Sequence, residues 1–321
     1  MGKAGNKSSL KAALLSHQAR VDKKEKAAKA AKAADHKDKN GPTKPKSKGK
    51  GKAAQERQAT IPFSPSDTIL LIGEGNFSFA HALVASPPPS LEFLPPGNVT
   101  ATGYDSEEDC YEKYPECREI VATLRQKGVE VLFSVDAMKL EKCAALKGRK
   151  FDRIVWNFPH AGKGITDQDR NILSNQLLIL GFLRSASHFL IEGPIPSVQQ
   201  RHKRKRKPGE DDDDDDPLDN GAAGEKKPSL DTRSRGTVLI TLRNVPPYTL
   251  WDVPKLAKTP PPPASLGAKP NPRYVQLRSF QFVRSAWKGY EHRMTKGERL
   301  GGQGTTGQGG EDRTWEFCLK D

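Results

Sequence analysis

The sequence predicts an α/β fold, a mostly parallel seven-stranded sheet that ends in an antiparallel hairpin. Three observations carry this prediction. From Thr68 onward, short β-like runs alternate with helical stretches, the pattern of a parallel sheet with right-handed crossovers. The run "FDRIVWNFP" (residues 151–159) is almost continuously apolar, as a strand buried on both faces must be. The last two β-like runs have no helical pattern between them, which fits a terminal hairpin.

The elements follow in order. "TILLIG" (68–73) is a first strand; it stops at Gly73-Glu74-Gly75, and a helix opens near Asn76. A proline-rich loop (87–97) leads to a second strand, "VTATGYD" (99–105). "REIVATLRQKG" (118–128) has amphipathic spacing and closes on glycine, a helix stop signal. "VEVLFSVDA" (129–137) is a third strand and "FDRIVWNFP" a fourth. "NILSNQLLILGFLRSASHFL" (171–190) repeats apolar residues every three or four positions and reads as a long helix. "GTVLITLR" (236–243), "YVQLRSFQFV" (274–283) and "TWEFCLK" (314–320) supply the last three strands.

Charge divides the chain. Residues 1–60 hold 17 Lys or Arg against 5 Asp or Glu, so they carry +12 of the net +14. This Lys- and Ala-rich tail has too little apolar surface to offset ordering and reads as disordered, with a charge suited to phosphate contact. The folded part is then 61–321, broken at 199–235 by a polar, charge-segregated stretch that reads as a disordered surface insertion. Its six aspartates (Asp211 to Asp216) are a solvated acidic run rather than a metal cage, and "HKRKRK" (202–207) fits a nuclear import signal or a phosphate contact. No apolar run reaches the ~20 residues that span a bilayer, so no membrane partner is expected. The N-terminus lacks an apolar signal core, so secretion is not expected. The four cysteines show no CxxC spacing, which argues against zinc and for free thiols in a reducing compartment.

Chemistry gathers at the strand ends. Gly73 and Gly75 lack a Cβ, so a ligand can approach the turn. A GxGxxG pattern would need its third glycine where Ser78 stands, which disfavours a dinucleotide binder. Asp105 ends the second strand and suits ribose hydroxyls; Asp136 ends the third and suits an adenine amino group. Each alone also reads as a helix N-cap or loop residue, but three signals on successive strand ends favour an adenosine site. The fourth strand ends in "NFPH" (157–160). It resembles the Asn/Asp-Pro-Pro-aromatic loop of amino methyltransferases, with a plain proline turn as the bland alternative. The polar stretch "GKGITDQDRNILSNQ" (162–176) follows it and either faces a substrate or caps the helix.

Seven strands in this order resemble the Rossmann-like class I methyltransferase fold. "LLIGEGNFSFA", "TGYDSEEDCYEKYP", "FDRIVWNFPHAGKGITDQDRNILSNQ", "VPPYTLWDV" and "KGYEHRMT" together resemble the eukaryotic 25S rRNA (uridine-N3)-methyltransferase family. The resemblance runs from about Thr68 to Thr295, apart from the insertion. It implies S-adenosyl-L-methionine as donor, a uridine of large-subunit ribosomal RNA in the pre-ribosome as acceptor, and a nuclear, nucleolar location; apart from the resemblance, a monomer and no metal are expected. Gly73, Glu74, Gly75, Asn76, Phe77, Ser78, Asp105, Asp136 and Ala137 would hold the donor. Asn157, Pro159 and His160 would carry the acceptor chemistry. Phe158, Asp167, Arg170, Asn171, Tyr248, Trp251, Tyr290, His292 and Arg293 would bind the substrate, with Phe158, Tyr248, Trp251 and Tyr290 stacking on the base or packing in the core. Two other classes remain readings of the sequence: a non-catalytic ribosome-assembly protein that keeps the fold, and an NAD-linked oxidoreductase, disfavoured by Ser78.

Overall fold

Ile69, Leu70, Leu71 and Ile72 form β1 (Ile69–Ile72), and all four are buried. A strand sends alternate side chains to opposite faces, so a strand with no polar position needs cover on both. The computed structural model describes residues 59–196, 233–262, 270–295 and 311–321, which belong to the unit Gln58–Asp321. The basic tail and most of the charged insertion expected from the sequence lie outside the described residues.

β1 pairs in parallel with β2 (Val99–Thr102) on one side and β4 (Arg153–Asn157) on the other. β3 (Glu130–Leu132) extends the sheet beyond β2, and β5 (Thr237–Arg243) extends it beyond β4. β7 (Asp312–Leu319) runs antiparallel between β5 and β6 (Tyr274–Gln281), giving the order β3-β2-β1-β4-β5-β7-β6. The seven-stranded, Rossmann-like sheet is therefore present, and the terminal antiparallel pair joins it through its second strand. Chain direction across the sheet reverses between β1 and β4, and ligands of open α/β sheets bind outside the carboxyl ends of strands at such a point.

One face of the sheet is covered by α1 (Ser78–Ala85) and α3 (Cys117–Lys127), where Ile69, Leu71, Val155 and Leu239 meet Phe79, Leu83 and Val121. The other is covered by α4 (Gln168–Ala186), where Leu70, Ile72, Ile154 and Ile240 meet Ile179, Phe182 and Leu183. Gly128 ends α3 in the left-handed conformation, as the sequence indicates, and its N–H bonds the carbonyls of Arg125 and Leu124.

Two short helices escaped the sequence reading. α2 (Glu107–Lys113) buries Cys110 alone, so it has no apolar stripe. Its local signals are the Ser106 cap on the Asp109 N–H and three acids in the first turn, which complement the helix dipole. α5 (Val253–Lys258) follows Asp252, whose side chain caps the Lys255 N–H, with a proline in the first turn. The strand expected over 129–137 is also shorter: it stops at Leu132, and Asp136 instead caps a 3-10 turn through the Met138 N–H.

At the amino edge of the sheet, the expected insertion boundary needs correction. Arg233 bonds the Asp152 carboxylate, and Arg235 donates to the carbonyls of Gly193 and Leu319. These last residues of the segment are pinned to the sheet because buried Asp152, a loop carbonyl at Gly193 and the carbonyl at the end of β7 need donors. Nearby, Glu316 is 2% exposed and accepts from Thr237 at 3.0 Å and Arg278 at 2.6 Å, with Arg153 at 3.6 Å. Arg153 also donates to Asp67 at 2.9 Å. Removing one member of such a buried group strands the others, so Glu316→Ala is expected to cost about 3–5 kcal/mol in urea unfolding. A loss below about 1 kcal/mol would mean that solvent already screens this cluster.

Candidate active site

β1 ends at Gly73, whose φ is +63° and whose hypothetical Cβ would stand 2.7 Å from the Trp156 indole Nε1. No side chain fits there. The chain turns through Glu74 and Gly75, and Phe77 enters α1 in a left-handed conformation (φ 61°) with its ring fully buried. The first turn of α1 is capped from behind: Asn76 Oδ1 accepts from the Ser78 N–H and Glu74 Oε2 from the Ala80 N–H. Burial pushes the Glu74 carboxyl up from 4.5 to about 7, against the pull of the Ala80 and Phe79 backbone.

Ser78 takes the place of the third glycine for a positive reason. Its hydroxyl donates to the Glu291 carbonyl at 2.9 Å and accepts from the Glu291 N–H at 3.1 Å. This pair draws residues 290–295 across the turn. Arg293 Nη2 reaches Glu116 at 2.9 Å, the Tyr114 hydroxyl donates to the Met294 carbonyl at 2.6 Å, and Thr295 comes against Gly162 in the loop after β4. Asn76 Nδ2 donates to the same Glu116. Burial works against ionisation of Glu116, but Asn76 and Arg293 hold its carboxyl below the ordinary value. Tyr290 packs its ring on Phe79 and Phe282, where burial and then Glu74 push its phenol up. His292 is pushed down to about 4 by burial, then by Arg284 and Arg243, so it is neutral near pH 7.

The two expected acids lie in the loops after β2 and β3, at the carboxyl edge, and are already engaged. Asp105 pairs with Lys113 at 2.6 Å. Asp136 caps Met138 and lies 3.5 Å from Lys139, and Ala137 beside it is buried. Two side chains that the sequence did not single out accompany them: Tyr104 is 70% exposed and Met138 39% exposed. An aromatic residue directly before an acid in the loop after β2 was the available signal.

At the end of β4, Asn157 has both amide atoms buried with no hydrogen-bond partner. It lines a narrow cavity on the α1 face with Thr241, Thr314, Phe79, Phe282 and Trp287. Phe158 adopts a left-handed φ of 54°, donates its N–H to the Thr241 carbonyl, and lies 4.4 Å from the His292 ring, with the Arg284 guanidinium at 5.0 Å. Pro159 is buried and His160 exposed. His160 Nδ1 accepts from the Gly162 N–H at 2.9 Å, so in the neutral ring Nε2 carries the hydrogen. Asn175 Oδ1 accepts from the Ala161 N–H, and its amide reaches back to Asn171, which bonds the Ile165 carbonyl. The polar opening of α4 thus holds the loop. Asp167 caps the Arg170 N–H, and both are exposed.

Of the four expected stacking aromatics, Trp251 is only 1% exposed. It fills the core between α4 and the sheet, 5.2 Å from the half-buried Tyr248 and 5.8 Å from His160, so it cannot offer a face to a base. Tyr290 is likewise wedged between phenylalanines. Glu74 gives a direct check on the turn. Its folded pKa is raised, so the folded state holds the proton more tightly, and the stability this confers at low pH is lost as pH rises from about 4.5 to about 7. Melting curves of the wild type should therefore fall relative to Glu74→Gln across that window. Parallel curves would show the carboxyl to be freely hydrated.

A family model described as rRNA (uridine-N3-)-methyltransferase BTM5-like matches residues 70–294. The chain is 28% identical, over 328 aligned positions, to the 25S rRNA (uridine(2634)-N(3))-methyltransferase of Saccharomyces cerevisiae, covering 93% of this chain and 87% of that protein. It is 38% identical over 122 residues to the Ferredoxin-fold anticodon-binding domain-containing protein 1 homolog of Mus musculus, covering 38% of this chain and 18% of that protein. Heavy metal-associated isoprenylated plant protein 41 of Arabidopsis thaliana is 36% identical over 129 residues, 40% of this chain and 24% of that protein. The matched region takes in the glycine turn, the end of β4 and the crossing segment at 290–294, and the chain belongs to the rRNA (uridine-N3-)-methyltransferase BTM5-like family.

Proposed function

We propose that this chain transfers a methyl group from S-adenosyl-L-methionine to N3 of a uridine in large-subunit ribosomal RNA, acting on the pre-ribosome in the nucleolus. The observation that supports the acceptor best is Asn157: an amide with a buried donor and a buried acceptor, both unpartnered, one strand from the glycine turn. Leaving such groups unpaired costs about 1–3 kcal/mol. The uracil edge at N3 presents a donor beside two carbonyl acceptors and complements an amide. That edge is used in base pairing, so the target must be unpaired or flipped out.

The donor would lie over the Gly73 to Gly75 turn. Asp105 would take the ribose hydroxyls, Asp136 the adenine amino group, and Tyr104 and Met138 the flat faces of the base. Carboxylates beside exposed apolar surface suit a nucleoside, and neither acid is fully buried. When bound, the donor supplies an electrophilic methyl on sulfur. The chain's own task is the acceptor, since the N3 lone pair is free only after the imino proton has left. An Nε2–H of His160 directed at a flanking carbonyl would stabilise the imidate that results, while Asn157 fixes the edge and Pro159 stiffens the loop. The proton then leaves to water, which reaches exposed His160.

Asp105→Ala should weaken donor binding by roughly 1–3 kcal/mol in calorimetric titration, with the fold intact. An unchanged affinity would take Asp105 out of the site. Asn157→Ala and His160→Ala should each keep donor affinity within a few-fold, while single-turnover methylation of an rRNA fragment falls ~10²-fold. The His160→Ala rate should rise with pH in parallel with the wild type. A selective recovery of the variant at high pH would instead make His160 the base.

A further inference from the structure

Behind the glycine turn, Cys110 and Cys117 bring their sulfurs to 2.9 Å. Both are free thiols, 2% and 0% exposed. Cys110 lies in the last turn of α2 and Cys117 opens α3, so they close the tight corner at residues 114–116. That corner is wired to the turn. The Cys110 thiol donates to the Gly75 carbonyl at 3.3 Å, Asn76 donates to Glu116 at 2.9 Å, and Tyr114 holds Met294. Two small thiols filling the core would need only to pack. These two also touch each other, and one of them is bonded to the carbonyl of the turn.

We propose that Cys110 and Cys117 are a redox-active dithiol, and that their disulfide loosens the Gly73–Gly75 turn and so weakens donor binding; the last clause rests on the function proposed above. A disulfide has sulfurs about 2.05 Å apart, so closing the pair needs a movement of under about 1 Å. The oxidant is hydrogen peroxide. The Cys110 sulfur attacks the terminal peroxide oxygen, the O–O bond breaks, one water leaves and Cys110 becomes a sulfenic acid. The Cys117 sulfur then displaces that hydroxyl, the S–S bond forms and a second water leaves. The two thiols lose two electrons and two protons, and the peroxide takes up both. The roles follow from the surroundings: the Cys110 sulfur and then burial push the Cys117 thiol far above its ordinary pKa, which suits a resolving thiol better than an attacking one. Once the S–S bond exists, Cys110 has no hydrogen for the Gly75 carbonyl, and the corner that carries Tyr114 and Glu116 is drawn in.

The test uses the full chain with hydrogen peroxide, followed by alkylation and peptide mass spectrometry. A peptide linked through Cys110 and Cys117 is expected, reversed by dithiothreitol and absent in Cys117→Ala. Hydrogen exchange at residues 73–79 should accelerate in the oxidised protein, and affinity for S-adenosyl-L-methionine should fall about fivefold, the scale of one lost hydrogen bond. Absence of the linked peptide in wild type, with oxidation going to half-buried Cys143 instead, would overturn the proposal. So would a linked peptide with unchanged exchange across the turn. Both measurements are made on wild type and hold even if Cys117→Ala does not fold. If the reduced protein binds no donor at all, the functional reading fails, while the linkage and exchange results still decide this inference.

Discussion

The contact between Gly73 and Trp156 sets the geometry on which the rest of the site depends. β1 and β4 are neighbours, and Trp156 is the residue opposite Ile72. Its indole lies under the turn at Gly73, at a distance that leaves no room for a Cβ, and its ring packs 4.7 Å from Phe182 of α4. The position of the turn is thereby tied to the core on the α4 face. Strand alternation does the rest. With Trp156 committed to that face, Asn157 must turn to the α1 face, where it meets Thr241 and Phe79. One glycine and one indole therefore fix how far the turn stands from the amide across the switch point.

The wall over this crevice comes from far along the chain. Ser78 and Glu291 are 213 residues apart and exchange two hydrogen bonds. Arg293, Glu116 and Asn76 extend the same seam. Seen from the sequence, Ser78 is only a missing glycine. Its hydroxyl is in fact what brings the second wall into place, because the backbone at Glu291 offers a donor and an acceptor that need partners. A hydroxyl can serve both at once; a glycine could serve neither.

The fold was legible where periodicity is strong. β1, β4, β5 and α4 follow from unbroken apolar runs or spacings of three and four, and Gly128 marks the end of α3 by its conformational freedom. α2 and α5 were not legible, because one buried side chain or a single turn between caps leaves no period to read. At the site, the places of Gly73 and Asn157 at the ends of β1 and β4 could be read from the strands themselves, while Asp105 and Asp136 fall in the loops beyond β2 and β3. Occupancy could not be read. Whether Trp251 faces solvent or core depends on what α4 leaves open, and the Cys110–Cys117 contact depends on the corner between two helices of which only one was visible. His160 shows a finer limit: its tautomer is fixed by the Gly162 N–H two residues on, a loop geometry that no composition encodes.

The distribution of cost across the molecule separates a site from an ordinary sheet edge. Among the described residues, four non-glycine positions have positive φ: Phe77, Ser134, Phe158 and Asp252. Asp252 caps α5 and is accounted for locally. The other three follow β1, β3 and β4, all at the carboxyl edge. Beside them lie the unpartnered Asn157 amide and a Glu74 carboxyl whose ionisation burial opposes. Strained backbone costs of order 1–3 kcal/mol per residue, and an orphaned buried amide costs about as much again, in a fold whose total margin is only about 5–15 kcal/mol. A sheet edge selected for stability alone would shed these costs through Asn or Gly at the left-handed positions and an apolar residue at 157. Their concentration around one crevice is a cost that a bound ligand would offset, and the amide at 157 would be matched by a flat edge that both donates and accepts.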